Sequence, residues 1–178
     1  MRIIAGKHRS RILKTLEGNN TRPMMDRMKE SVFNTIGPYF DGGISLDLFG
    51  GSGALSLEGL SRGIEKAYIT EIAKDALKVI KDNVASLHEE ENVVIMNLDY
   101  KIALKRLEGL KFDLVYLDPP YRMNINNELL DYLLEHEMLS KGAYIVCHYV
   151  TGNMKIDDRF KVIKNYSHDE HELTIYEY

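Results

Sequence analysis

At 178 residues, 44% of them hydrophobic and 28% charged, the chain is long enough to bury a core unaided, and its single cysteine, Cys147, excludes a disulfide framework. Nowhere is there an apolar run long enough to cross a bilayer, and the basic N-terminus has no apolar leader behind it, so a soluble protein of the cytoplasm is expected, with Cys147 a buried structural thiol. The net charge of −4 excludes a uniformly basic surface, yet residues 1–30 carry eight Lys or Arg against three acids, a local +5 that leaves −9 on the rest. A basic arm on an acidic body suits a polyanion held beside a site, the alternative being an ordinary solvated basic edge.

In chain order, residues 2–5 and 11–16 read as two short strands around a turn at Gly6 to Ser10, a hairpin arm followed by the polar link Glu17 to Asn20. Pro23 then opens a helix with Met24, Met28, Val32, Phe33 and Ile36 at helical spacing, closed by Gly37 and Pro38. From Ile44 the pattern becomes apolar strands alternating with helices. Strands are expected at Ile44–Leu48, Ala67–Thr70, Val93–Asn97, Leu114–Leu117 and Ala143–His148. Helices are expected near Ala54–Arg62, Lys74–Leu87, Lys101–Glu108 and Glu128–Glu137. This alternation predicts an α/β fold with a parallel sheet covered on both faces. The tail adds Phe160–Tyr166 and Glu172–Glu177 as an antiparallel hairpin at one edge. One domain is expected, with residues 1–40 as arm and helix and 41–178 as core.

Three acids fall just past successive parallel strands. Asp47 opens Asp-Leu-Phe-Gly-Gly-Ser-Gly53, where Gly51 and Gly53 permit positive φ and close approach of a ligand, and where the carboxylate can accept from an ammonium group. Glu71, 18 positions beyond Gly53, stands where α/β nucleoside sites place an acceptor for ribose hydroxyls, and Asp99 can accept from an adenine amino group. Each alone could be a surface acid or a bare turn, but carboxyl ends of successive parallel strands converge on one crevice. The full dinucleotide and Walker spacings are both missing.

The most specific motif is Asp118-Pro119-Pro120-Tyr121, after the apolar strand Leu114–Leu117. Two prolines fix the backbone and remove two donors, so that rigid carbonyl acceptors are left facing outward. An exocyclic amino group is a poor nucleophile because its lone pair is delocalised into the ring. The Asp118 carboxylate and the Pro119 carbonyl can hold its two N–H groups and turn the lone pair toward an incoming methyl, while Tyr121 offers a face on which a flipped-out base can stack. His148, His168 and His171 offer no convincing metal-ligand set and are read as structural or surface residues; no metal is expected.

Asp47 to Gly53, Glu71, Asp99 and Asp118 to Tyr121 resemble, in order and spacing, the motifs of class I S-adenosylmethionine-dependent methyltransferases. Arg2-Ile-Ile-Ala-Gly-Lys7, Thr21-Arg22-Pro23, Asp26-Arg27 and Glu30-Ser-Val-Phe-Asn34 further resemble the opening of RsmD, the bacterial small-subunit rRNA guanine-N2 methyltransferase family, and Asp47 to Arg62 continues the likeness almost unbroken. The resemblance implies a Rossmann-like seven-stranded sheet with an antiparallel terminal hairpin and an N-terminal extension. It also implies S-adenosylmethionine (SAM) as cofactor, giving S-adenosylhomocysteine, with Asp47 at the methionine end, Glu71 at the ribose and Asp99 at the adenine. Phe49, Ile72 and Tyr100, beside these acids, complete the expected cofactor set. Arg2, Lys7, Arg9, Arg11, Arg22 and Arg27 would grip phosphates of the substrate, 16S rRNA or a small-subunit assembly particle, with the protein acting as a monomer. Met24, Ala73 and Cys147 depart from the family pattern. Adenine N6 in DNA or RNA and a protein glutamine are alternatives that this type of tetrapeptide leaves open; a non-catalytic RNA-binding module is a further one, against which the intact tetrapeptide argues.

Overall fold

A computed structural model describes residues 1–17 and 26–178; the Thr21-Arg22-Pro23 segment, with Met24 and the expected helix opening, lies outside them. The described helix α1 spans Asp26–Ile36 and buries Val32, Phe33 and Ile36. After it the chain alternates as the apolar pattern requires: β1 (Ile44–Asp47), α2 (Ala54–Ser61), β2 (Lys66–Thr70), α3 (Lys74–Ser86), β3 (Val93–Met96), α4 (Tyr100–Leu107), β4 (Phe112–Leu117), α5 (Asn126–Glu135) and β5 (Leu139–Val150). A hairpin of β6 (Lys161–His168) and β7 (His171–Glu177) closes it.

The seven strands form one sheet in the order β3-β2-β1-β4-β5-β7-β6, the first five parallel and β7 antiparallel to both its neighbours. The expected α/β sheet with its antiparallel terminal hairpin is therefore present. Alternate strand residues feed two cores. Leu114, Tyr116 and Val146 pack with α1, α2 and α3, whereas Val115, Leu117, Ile145 and Cys147 pack with α4 and α5. The chain proceeds outward from β1 in one direction through β2 and β3, and from β4 in the other through β5. This reversal opens a crevice beyond the carboxyl ends of β1 and β4.

Two elements differ from expectation. The N-terminal hairpin is reduced to one antiparallel bridge, Arg2 to Ile12, with Ile3 and Leu13 in the core. Beyond the bridge, the Ile4 and Ala5 N–H groups donate to the Glu58 carboxylate of α2 at 3.0 and 3.2 Å. Strand β5 begins four residues early, because Leu139 pairs with Phe112 before the register shifts and Tyr144 meets Leu114. Cys147 is buried as expected, and burial pushes its thiol well above the ordinary range. No helix among the described residues is long and apolar enough to cross a membrane.

Candidate active site

A cleft of about 350 Å³ lies at the strand ends, lined from the arm side by Met1, Leu16 and Lys29 and from the sheet side by the loops after β1, β2, β3 and β4. It collects Asp47, Phe49, Gly51, Glu71, Ile72, Asp99, Tyr100 and all of Asp118, Pro119, Pro120 and Tyr121. Its volume falls within the roughly 300–1,000 Å³ of small-molecule sites.

Asp47 ends β1 and is 2% exposed, with Phe49 N–H donating to Oδ1 and the Ser56 hydroxyl to Oδ2, both at 3.2 Å. Burial raises its pKa to about 7; these two donors oppose the rise, and the charges of Asp118 and Glu71 add to it. The glycine loop then turns through Gly51 at φ 56° and Gly53 at φ 78°, a conformation costly to any residue with a Cβ. Gly53 does not line the cleft; it heads α2 and packs near Ile80 and Leu57, so its part is to turn the chain. Gly50, which motif spacing does not single out, is held to small size by the sheet, since a Cβ there would meet Ile69 Cγ2 at 2.4 Å.

Glu71 is oriented by three backbone donors: Gly51 N–H to Oε2 at 3.0 Å, and Ile72 and Ala73 N–H to Oε1 at 2.8 and 2.9 Å. Asp99 caps α4 by accepting from Lys101 N–H at 2.9 Å. Beside it the Tyr100 ring lies 5.4 Å from that of Phe49, and Ile72, 63% exposed, presents an apolar face. Acidic acceptors set among apolar side chains in one cleft can accept from the ammonium, hydroxyl or amino groups of a ligand.

Asp118 leaves β4 beside the glycine loop. His148 Nδ1 stands 2.8 Å from Asp118 Oδ1. The Pro120 carbonyl accepts from Met123 N–H in a turn, so it does not face outward as expected. Tyr121 packs 4.4 Å from the His171 ring and 5.8 Å from that of His148. Two of the three histidines read as structural or surface residues thus touch the tetrapeptide, and only strand register could have revealed it. His168 is exposed, beside Asp169. No group of three His, Cys, Asp or Glu among the described residues could hold a metal ion.

Among the described residues of the basic arm, Arg2, Lys7, Arg9, Arg11 and Arg27 do not line the cleft. Lys7 pairs with Glu89 at 2.5 Å and Arg11 donates to the Ser86 carbonyl at 2.6 Å, which docks the arm on the end of α3. Arg2, Arg9 and Arg27 are exposed and make no ion pair among the described residues, while Arg22 lies outside them. Lys29, which no sequence motif singles out, is fully buried at the cleft wall, with Nζ donating to the Arg2 carbonyl at 2.5 Å and 3.2 Å from Glu58 Oε2.

The family model described as Conserved hypothetical protein 95 matches residues 1–177. YlbH of Bacillus subtilis is 40% identical over 153 residues, covering 84% of this chain and 82% of that one. The Haemophilus influenzae protein named Ribosomal RNA small subunit methyltransferase D is 36% identical over 147 residues, covering 82% and 76%. A solved structure, a conserved hypothetical protein of Streptococcus pyogenes, superposes with a TM-score of 0.79 at 31% identity, over 84% of this chain and 94% of that one. With its glycine loop, its strand-end acids and its Asp-Pro-Pro-Tyr tetrapeptide in one cleft, the chain belongs to this family, alongside the ribosomal RNA small subunit methyltransferase D protein.

Proposed function

We propose that this protein transfers the methyl group of SAM to the exocyclic N2 amino group of a guanine in 16S rRNA. The observation that carries the reading is that Asp118, Pro119, Pro120 and Tyr121 share one cleft with Asp47, Glu71 and Asp99. Ribosomal RNA methylation is the activity in the name of the Haemophilus influenzae relative, and guanine N2 as the target rests on the resemblance of the N-terminal block.

The residues present fit the cofactor by their chemistry: Asp47 accepts from its ammonium, Glu71 from its ribose hydroxyls and Asp99 from its adenine amino group, with Phe49, Ile72 and Tyr100 against its apolar faces. When bound, SAM supplies a methyl group on a cationic sulfur, which leaves with the C–S electron pair as a neutral thioether. Asp118 and the Pro119 carbonyl accept from the two amino N–H groups and direct the nitrogen lone pair at the methyl. Tyr121 stacks on the base. Holding the reacting atoms about 3–3.5 Å apart supplies much of the rate gain. The nitrogen becomes acidic only once it carries the methyl, so its proton leaves late, to Asp118 or to water. Arg2, Lys7, Arg9, Arg11, Arg22 and Arg27 contribute phosphate contacts that set position and not base identity.

The test is transfer of labelled methyl from SAM to small ribosomal subunits lacking their modifications, followed by nucleoside analysis. N2-methylguanosine, absent with Asp118→Ala, is the expected product. Label on adenine N6 or on protein would overturn the substrate, and no label on any acceptor would overturn the enzyme.

A further inference from the structure

In the β4–β5 ladder Leu117 lies opposite Cys147, so Asp118 and His148, each one step on, leave the sheet side by side. Asp47, Glu71 and Asp99 each accept from backbone N–H groups, Glu71 from those of two loops, whereas Asp118 takes a donor from the side chain of a neighbouring strand. The His148 side chain is 6% exposed and that of Asp118 24%, so the imidazole backs the carboxylate from the protein side while the carboxylate reaches the cleft.

The histidine itself is held. Asn126 Nδ2 donates to the His148 carbonyl at 3.0 Å, and the backbone pairs with Leu173 of β7. The titratable groups around its ring are Asp118 after β4, Tyr121 in the tetrapeptide and His171 at the start of β7; from α5 it meets the neutral Asn126. Burial disfavours its imidazolium, but the hydrogen bond and charge of Asp118 outweigh this and leave its pKa above the ordinary value.

We propose that His148 is a positioning residue for methyl transfer, an inference that rests on reading Asp118 as the group that holds the amino nitrogen of the base. The terminal torsion of an aspartate is broad and roughly two-fold, so an unsupported carboxylate has no fixed acceptor direction. With its proton on Nδ1, His148 donates to Oδ1 and leaves Oδ2 to accept from the amino N–H. Because the nitrogen lone pair is turned by the acceptors of its N–H groups, the direction of Oδ2 sets the line of attack. No step passes through the imidazole; its part is to hold the carboxylate in place.

The experiment compares wild type, His148→Asn, His148→Phe and Asp118→Ala in methyl transfer to undermodified small ribosomal subunits, with kcat and KM measured separately. Asparagine keeps an N–H donor near the position of Nδ1, while phenylalanine keeps the bulk and removes the donor. Expected are a kcat lower by about 10- to 100-fold in His148→Phe with KM values within about 3-fold, and recovery of most of that rate in His148→Asn. In a parallel NMR measurement on the full chain, the Nδ1-bound proton of His148 should be resolved in wild type and lost or shifted upfield in Asp118→Asn, which tests the contact even if the phenylalanine variant does not fold. Wild-type kcat in His148→Phe, with Asp118→Ala inactive, would overturn the positioning role and leave the reading of Asp118 standing. Equal losses in the two His148 variants, or an Nδ1 proton indifferent to Asp118→Asn, would also overturn it. Full activity in Asp118→Ala would overturn the reading of the site and the role of His148 together.

Discussion

The Gly51 amide donates to Glu71 Oε2 at 3.0 Å, locking the glycine loop after β1 to the acid after β2 across 20 residues of sequence. Ile72 and Ala73 hold the other oxygen, so the carboxylate reaches the cleft already oriented. Hydrogen bonds to a charged group contribute about 1.5–3 kcal/mol, so Glu71→Ala should weaken SAM binding by roughly 10- to 100-fold in calorimetry. Glu71→Gln should do nearly as badly, because turning its carbonyl toward Ile72 and Ala73 leaves the amide NH₂ facing the Gly51 N–H. Wild-type affinity in either variant would remove Glu71 from the cofactor site.

Asp47 gives the free protein a pH signature. Its folded pKa of about 7 stands above the ordinary aspartate value of 3.8, so the native state prefers the neutral acid. Stability should be greatest below the unfolded value and fall as pH rises from about 4 to 7, by a few kcal/mol in all, since each tenfold change in proton affinity is worth about 1.4 kcal/mol. Cofactor binding should run the other way. An ammonium group prefers the ionised carboxylate, so affinity should increase by up to about tenfold per pH unit between pH 5 and 7 and then level. Urea titrations and calorimetry across this range, with Asp47→Asn as the flat control, check both signs.

Glu58 anchors the arm. Fully buried on α2, it accepts from Ile4 and Ala5 N–H and from Arg62 Nε at 2.8 Å, with Lys29 Nζ at 3.2 Å. Removing one member of a buried ion network leaves the others uncompensated, typically about 3–5 kcal/mol. Glu58→Ala should lower the urea midpoint accordingly and open Lys7, Arg9 and Arg11 to trypsin before the rest of the chain unfolds. An unchanged midpoint with a protease-resistant arm would contradict this.

The arm's basic residues should divide by their engagement. Arg9 and Arg27 are exposed and make no ion pair among the described residues, whereas Lys7 is paired with Glu89. Each phosphate contact contributes about 0.7–0.9 to the slope of log affinity against log salt. Replacing Arg9 and Arg27 together by Ala should flatten that slope by about 1.5 and leave the methylated base unchanged. Lys7→Ala should flatten it less and also cost stability by stripping Glu89 of a partner. An RNA-binding slope indifferent to Arg9 and Arg27 would take the arm out of RNA binding.

What the sequence determined by itself was whatever is written in local pattern. Apolar runs bounded by turn residues mark β1 to β5, and a tetrapeptide with two prolines declares its rigidity in four letters. The acids Asp47, Glu71 and Asp99 were legible because parallel strands must end on one side, which sends their exits to a common crevice. The rest depended on groups distant in sequence. No local pattern marks Glu58; the fold brings two backbone donors of the arm, 54 and 53 residues away, onto its carboxylate. That capture ties the arm to α2, which no local propensity could predict. His148 lies 30 residues from Asp118, and whether the two meet is decided by the β4–β5 register alone. A one-residue slip would turn the imidazole to the opposite face of the sheet, since side chains alternate along a strand; tertiary pairing, which fixes that register, therefore decided what stands behind the Asp118 carboxylate.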